Sequence, residues 1–511
     1  MKKYCSYSMV LVLLLISSSM AMANDVYIAQ TATGAGDGTS CSSARAVSFF
    51  NAVGNWGVGT DKIGPGTTVH LCGTFNAPAG SNYLTFQASG TVGNPITLKW
   101  EDGAIIQAPY FSQGNQGSGG GVRANGKSYL VIDGGTNGIL RNTANGSGLT
   151  YQKSSTGIEI YKCNNIEIKN LAISNIYVRK IGDTVMDHGT LNFINSSGNY
   201  IEIHHNVMHD AGWGINWAYS NGDHDIRVHH NEIYNIDHGF SPYGDQGGSA
   251  DNVYFYNNHV HDYSNWDWTG YHHDGIHAYG VNGSKLKTIY IYNNTFDGNT
   301  GTTITAHIFL EAANDGTPWT DSTGKAIIYN NVLVSNSSAL ETMIVGSGSG
   351  HEIYNNVIIN TANSSDTSCA RWIGTSNVTF KNNYLAGCDS LIYADSSTYT
   401  SDYNVFANCS SSSCFNIGGS RTGSFSTYRS AHPTQDAHSV NSLSSNGGVS
   451  SAGIPQAGSV VINNGVSLAE SFTVDILGSS RPQGSAWDIG AYEFSTQTNK
   501  VPNSPSSIDV R

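Results

Sequence analysis

Charge is scarce in this chain. Of 511 residues only 12% are Asp, Glu, Lys or Arg, about half the ~25% of an ordinary globular protein. Acidic residues outnumber basic ones 37 to 24, and no basic block reaches five residues. That argues against nucleic-acid binding, whose electrostatic footprint is a basic patch. Lys, Glu and Leu, the strong helix formers, are also few, whereas Gly (59 residues), Asn, Ser, Thr, Tyr and Val abound. This balance disfavours helices and fits many short strands joined by tight turns. No segment reaches the ~20 consecutive apolar residues that a membrane-spanning helix needs. No CxxC pair occurs, so a structural zinc site of the finger type has no sequence support.

What is present begins with a targeting segment. Lys2 and Lys3 precede the apolar run "MVLVLLLI" at residues 9–16, and Ala21-Met22-Ala23 has the small-x-small form of a cleavage site. A secretory signal peptide over residues 1–23 is expected, with export of the remainder. Seven cysteines follow it. Proximity in sequence pairs Cys41 with Cys72, Cys369 with Cys388 and Cys409 with Cys414, and leaves Cys163 as a buried free thiol. An oxidising compartment permits such bridges.

An internal repeat is the strongest signal. It appears in "NNIEIKNLAI" from Asn164, "NYIEIHHNVMHD" from Asn199, "HDIRVHHNEIYN" from His224 and "DNVYFYNNHVHD" from Asp251. It continues in "KTIYIYNNTFDG" from Lys287, "KAIIYNNVLV" from Lys325, "HEIYNNVII" from His351 and "NVTFKNNYLAG" from Asn377. Each unit is an alternating strand, an Asn, and a second short apolar pair. The recurring Asn falls at 170, 206, 231, 258, 294, 331, 356 and 383, at spacings of 36, 25, 27, 36, 37, 25 and 27. The short spacing is one coil of a parallel β-helix, and the long one is a coil with an inserted loop. A corner Asn tolerates left-handed backbone, and coils stacked ~4.8 Å apart would bring the amides into a ladder. A propeller blade needs four strands and more residues than this period holds. The expected fold is all-β: a single-stranded right-handed parallel β-helix (solenoid) with an Asn ladder and inserted loops. It would occupy residues 24–494, with a polar linker or tail at 495–511.

The repeat segments over residues 127–406 resemble the Asn-ladder coils of the pectate-lyase-like superfamily of right-handed parallel β-helix proteins. "DVYIAQTATGAGDGTSCSSA" from Asp25 is similar to the N-terminal cap of secreted bacterial members, and "SSRPQGSAWDIGAYEF" from Ser479 to their closing motif. The resemblance implies a fold that hosts lyases, hydrolases, epimerases, tailspikes and adhesins. It implies an extended polysaccharide partner and raises Ca2+ as a cofactor held by aspartates; the HxH and DxH patterns of the His cluster also admit a metal on one strand face, though their spacings match no strong metal motif. No Arg-rich motif of the pectate-lyase kind is present, and no paired-Asp strand of the polygalacturonase kind. "MDHG" and "IDHG" are loosely similar to the Asp-Pro-His motif of mannuronan epimerases but lack its Pro. No nucleic acid, no membrane span and a monomer are the remaining expectations.

A second register runs beside the Asn repeat: Gly157, Gly189, Gly214, Gly239 and Gly275, each followed by a mostly apolar residue. The residues before these glycines form a candidate site. Thirteen of the 18 His lie between His188 and His277, a concentration that points to a cleft along one flank. Asp187, His188, Asp237, His238, His273 and Asp274 are the catalytic candidates, since imidazole can take a proton near neutral pH and a neighbouring Asp can orient it. Asp187 and Asp237 would lie roughly 9.6 Å apart by strand spacing, near the upper limit for an inverting glycosidase pair. Arg179 and Lys180 are placed to meet a uronate carboxylate. Trp213, Trp217, Tyr243, Trp266, Trp268, Tyr271 and His277 complete the substrate-binding candidates. Each cluster also admits a purely structural role. His204, His205, His229, His230, His259 and His261 sit beside the Asn repeat and are expected to be structural. The activities that fit are a lyase acting by β-elimination on a uronate-containing glycan, an inverting hydrolase, a uronate epimerase, or a non-catalytic glycan-binding surface protein or adhesin.

Overall fold

The computed structural model describes residues 25–177, 180, 183–184, 191–244, 247–263, 273–300, 304–311, 323–336, 341–362, 367–395 and 397–495. Alternation makes each strand one-sided. Ile166 and Ile168 turn inward, and their partners on successive coils are Ile201 and Ile203, Ile226 and Val228, then Val253 and Phe255. All eight are at most 2% exposed. No coil could bury such a face alone, but the stack does.

Three sheets share this core. Sheet A runs through 164–169, 199–204, His224–His229, Gly248–Tyr256 and Ser284–Tyr292. Sheet B runs through 171–174, 207–209, 232–234, His259–His261 and Thr295–Asp297. Sheet C runs through 155–160, 191–196, 213–219, 238–244, Asp274–Gly280 and Ala306–Leu310. From Ser284 onward the strands pair in parallel with the strand three further along. Among the described residues the one antiparallel strand pair is Phe415–Ile417 with Ser420–Thr422. The molecule is a right-handed parallel β-helix.

The Asn ladder lies at the corner between sheets A and B. Asn206, Asn231, Asn258, Asn294, Asn331, Asn356 and Asn383 each donate both backbone N–H and Nδ2 to the Oδ1 of the next, at 2.9–3.2 Å. Asn404 ends the series, and its Nδ2 donates to Asp436 Oδ1 at 3.2 Å. Two expectations are corrected. The backbone N–H of Leu171, not that of Asn170, donates to Asn206 Oδ1, so Asn170 stands one residue outside the ladder. Left-handed backbone falls on the residue before each ladder Asn: His205, His230, Asn257, Asn293, Asn330, Asn355, Asn382 and Tyr403, and likewise on Asn170 before Leu171. The ladder Asn needs ordinary backbone to aim its amide along the stack; the sharp turn is made just ahead of it.

The closing motif acts as a strap on this outer corner column. Arg481 and Glu493 form a fully buried ion pair at 2.8 Å. Arg481 Nη2 also donates to Asn330 Oδ1 at 3.1 Å. Asn355 Nδ2 donates to the carbonyls of Asp488 and Gly490, and Asn382 Nδ2 to that of Val466. The disulfides are Cys41–Cys72, Cys369–Cys388 and Cys409–Cys414, and Cys163 is free and buried, as expected.

Candidate functional site

Sheet C carries the second register. A Cβ on Gly214 would lie 2.3 Å from the carbonyl oxygen of Gly239, one on Gly239 2.5 Å from that of Gly275, and one on Gly275 2.5 Å from that of His307. Only glycine permits that approach. The column preceding these glycines pairs Asn192 with Trp213, Trp213 with His238, and His238 with Asp274. Strand register therefore puts Phe193, not Gly189, beside Gly214. The 25-residue interval from Gly189 matched the coil length by coincidence, since this coil spans 21 residues (193 to 214). Asp187, His188, Arg179, Trp266, Trp268 and Tyr271 lie outside the described residues.

His238 and His277 form the centre. Their rings stack at 5.1 Å, with Trp213 4.6 Å from His238 on one side and Phe309 4.9 Å from His277 on the other. A polar chain runs across them. Asp237 Oδ2 is 2.9 Å from His238 Nδ1, His238 Nε2 is 3.1 Å from His277 Nδ1, and His277 Nε2 is 2.9 Å from Glu311 Oε2. His273 Nε2 lies 3.0 Å from Asp237 Oδ1. Asp274 Oδ1 accepts from the backbone N–H of Ala306 at 3.0 Å. Its Oδ2 lies 3.6 Å from His238 Nε2 and 3.8 Å from His277 Nδ1 and accepts no hydrogen bond among the described residues. Asp237, His273 and Asp274 are 0% exposed, His238 1% and His277 4%. Burial, and then the charge of Asp237, push the Asp274 carboxyl well above the usual carboxylate range.

The substrate-binding candidates divide. Trp217 is corrected: it points into the core at 0% exposure and donates Nε1–H to the Gly198 carbonyl at 3.1 Å. Trp213 is buried, with its ring against His238. Tyr243 is half-buried and stacks on Tyr279 of the next coil at 5.6 Å. Lys180 is exposed, and its backbone N–H donates to Asp183 Oδ2. Beside Tyr243, at the corner leading to sheet A, lies a groove of about 630 Å³ lined by Tyr161, Lys162, Asn199, Tyr219 and Asp223 among others. Glu311 and Tyr279 were not singled out by sequence reasoning. Glu311 follows "HIFL" in no repeating register, so nothing in the sequence ties it to His277.

The corner histidines stack as a column. His204 and His229 lie 4.9 Å apart, His229 and Tyr256 4.6 Å, and His205 and His230 4.8 Å. Their Nε2 atoms meet Glu167 and Glu202 at 3.0 and 2.9 Å for His204 and His229. His259 and His261 stack at 4.2 Å, with Asp297 and Glu232 as carboxylate neighbours. Calcium takes six to eight oxygen ligands. The Asp274 cluster offers two imidazole nitrogens and one free carboxylate oxygen, so these residues do not fit calcium.

Fold and site together define a parallel β-helix protein with a buried Asp–His–His–Glu network on one sheet. No family model matches this chain, and no curated protein sequence matches it. Among solved structures it is similar to the pectate lyase Pel9A, at 15% identity and TM-score 0.39 over 93% of this chain and 98% of that one. It is also similar to a variant of AlyGC, an alginate lyase of the PL6 family, at 13% identity and TM-score 0.42 over 76% of this chain and 48% of that one. A Yersinia enterocolitica family 28 exopolygalacturonase aligns at 12% identity and TM-score 0.33, over 66% and 72%. These are likenesses of architecture and do not choose a chemistry for this chain.

Proposed function

We propose that the protein is a secreted polysaccharide-active enzyme, a lyase that cleaves a uronate-containing glycan by β-elimination on the outer side of sheet C. One observation carries this reading: a connected, buried network of Asp237, His238, His273, Asp274, His277 and Glu311 concentrated on consecutive coils of a charge-poor solenoid. Elsewhere on sheet C the buried acids have plain structural partners: Glu159 accepts from the backbone N–H groups of Gly117 and Gly119, and Glu341 pairs with Arg371. Buried charges that persist without structural need mark functional sites.

The polymer would lie in the groove beside Tyr243 and pass over the Tyr243–Tyr279 stack. Sugar rings pack well on such faces. Elimination needs a base that reaches the substrate. The network is almost wholly buried, so the half-buried Tyr279, whose ring lies 4.7 Å from that of His277, is the proton acceptor in this reading. The acid–histidine network beneath it sets the local electrostatics. The carboxylate of the uronate would be met by Lys180 or Lys162, the exposed and groove-lining cations of this flank.

The test is turnover of a panel of acidic and neutral polysaccharides, with ultraviolet absorbance from a new C=C bond and reducing ends followed together. Both signals rising supports the lyase. Reducing ends alone would replace it with a hydrolase, and retention on one glycan without either signal would replace it with a binding protein.

A further inference from the structure

The sheet C network is built around an arrangement that hydrogen bonding alone does not complete. An ionised carboxylate only accepts hydrogen bonds. Asp237 therefore holds the ring proton of His238 on Nδ1, and Glu311 holds that of His277 on Nε2. With both rings neutral, the lone pairs of His238 Nε2 and His277 Nδ1 face each other across 3.1 Å; protonating one ring would bridge them but would still leave Asp274 Oδ2 beyond hydrogen-bond reach of either. The free Oδ2 of Asp274 closes the triangle at 3.6 and 3.8 Å. Those two distances are too long for hydrogen bonds, so protonating Asp274 does not satisfy the site. They are close to the edges of a coordination polyhedron: ligands about 2.0–2.1 Å from one tetrahedral ion stand about 3.3 Å from each other. Three carboxylates, Asp237, Asp274 and Glu311, also crowd this buried region, where charges must be paired or bound to a metal.

We infer that His238 Nε2, His277 Nδ1 and Asp274 Oδ2 bind a divalent transition metal of the zinc class, with one coordination position left open. Two imidazoles and one carboxylate suit such an ion and not a hard oxygen-seeking cation. Asp237 and Glu311 are positioning residues: each accepts the second ring N–H of a ligand histidine, the usual outer partner of a metal-bound imidazole. The ligands come from neighbouring strands of a rigid sheet. Backbone pairing sets His238 beside Asp274, and Asp274 and His277 share the strand Asp274–Gly280, so the site is preformed.

Among the described residues two further groups bring ligand atoms within 4.8 Å: Glu232, His259 and His261, and the corner set of His204, His205 and His229. The nearest nitrogens of the corner set are 2.7 Å apart on one coil, and the rings of the next coil stack flat at 4.9 Å. That is a column of paired rings rather than a set converging on one point, and it supplies the control.

The experiment uses the full chain after dialysis against a chelator, without substrate. Zn2+ is added, excess is removed, and metal per chain is measured by plasma emission; Co2+ is added in parallel and its visible spectrum recorded. The expected result is one ion per chain and the intense visible bands of four-coordinate Co2+. Asp274→Asn and His277→Gln should lose that ion, Glu311→Gln should bind about tenfold to a hundredfold more weakly, and a His205→Ala/His230→Ala variant should retain it. No retained metal in the unaltered chain, or loss only in the corner variant, overturns the inference. Should a ligand variant fail to fold, Glu311→Gln, which keeps all three ligands, still decides: weakened binding assigns the ion to sheet C, and unchanged binding overturns the inference. Metal uptake is read without any glycan, so failure here leaves the polysaccharide reading standing, and an inert but metal-loaded protein would refute that reading alone.

Discussion

Two columns run along this solenoid, and they obey different rules. In the Asn ladder one residue type repeats on successive coils, and each amide donates to the coil above while accepting from the coil below. In the sheet C column the residues change from coil to coil, from Asn192 to Trp213, His238 and Asp274. Asp274 Oδ2 there accepts no hydrogen bond among the described residues, and burial pushes the carboxyl's pKa up. A repeated, self-satisfying column is how a solenoid stabilises itself. A non-repeating buried column with an incompletely satisfied charge is a local departure from that economy, and such departures concentrate at functional sites.

The largest effect should come from breaking the ladder. Asn258→Leu removes the acceptor for both donors of Asn231 and the donor to the Val228 carbonyl. Buried orphans of this kind cost about 1–3 kcal/mol each, so the denaturation midpoint should fall steeply. Asp237→Asn tests the other column. It releases the His238 tautomer, so turnover should drop about a hundredfold or more while the thermal midpoint moves little. An equal loss of stability in both variants would erase the distinction between the columns.

A milder effect separates two stretches of the corner column. Downstream it is Asn330, Asn355 and Asn382 under the C-terminal strap; upstream it is His205 and His230. Burial, then the charge of His229, holds the His230 ring down at about 4, and burial likewise lowers His205. The unfolded ring titrates near 6.5, so the unfolded state binds more protons in between. Stability from His230 is complete above about pH 6.5 and is lost as pH falls towards about 4. His230→Asn, which copies the downstream residue, should flatten the thermal midpoint over that window.

The smallest effect concerns Cys163. Burial pushes its thiol up to about 11, so almost no thiolate exists at neutral pH. A thiol reagent should label the protein only after denaturation. Rapid labelling of the native chain would show that the sheet A–C corner opens.

Much of this was legible in the chain. The alternation of Ile166 and Ile168, repeated at Ile201 and Ile203, announced strands with one buried face. The Asn interval announced coils, and local spacing was enough to pair the cysteines. The amides could be counted, but which residue of each "HHN" or "YNN" step turns left-handed could not, because that depends on where the amide must point to meet the coil above. The glycine register slipped by four residues at Gly189, since a count of 25 cannot tell a coil from a coincidence when the true coil holds 21.

The sequence alone determined the solenoid, because a period-2 pattern within a period of about 25 can bury its apolar residues in few other ways. The site was decided by stacking. Asp237 and Glu311 are 74 residues apart, yet each holds one ring of the His238–His277 pair. Neither the inward turn of Trp217 nor the meeting of His238, Asp274 and His277 can be seen until strand register is set, and register belongs to the whole stack rather than to any one coil.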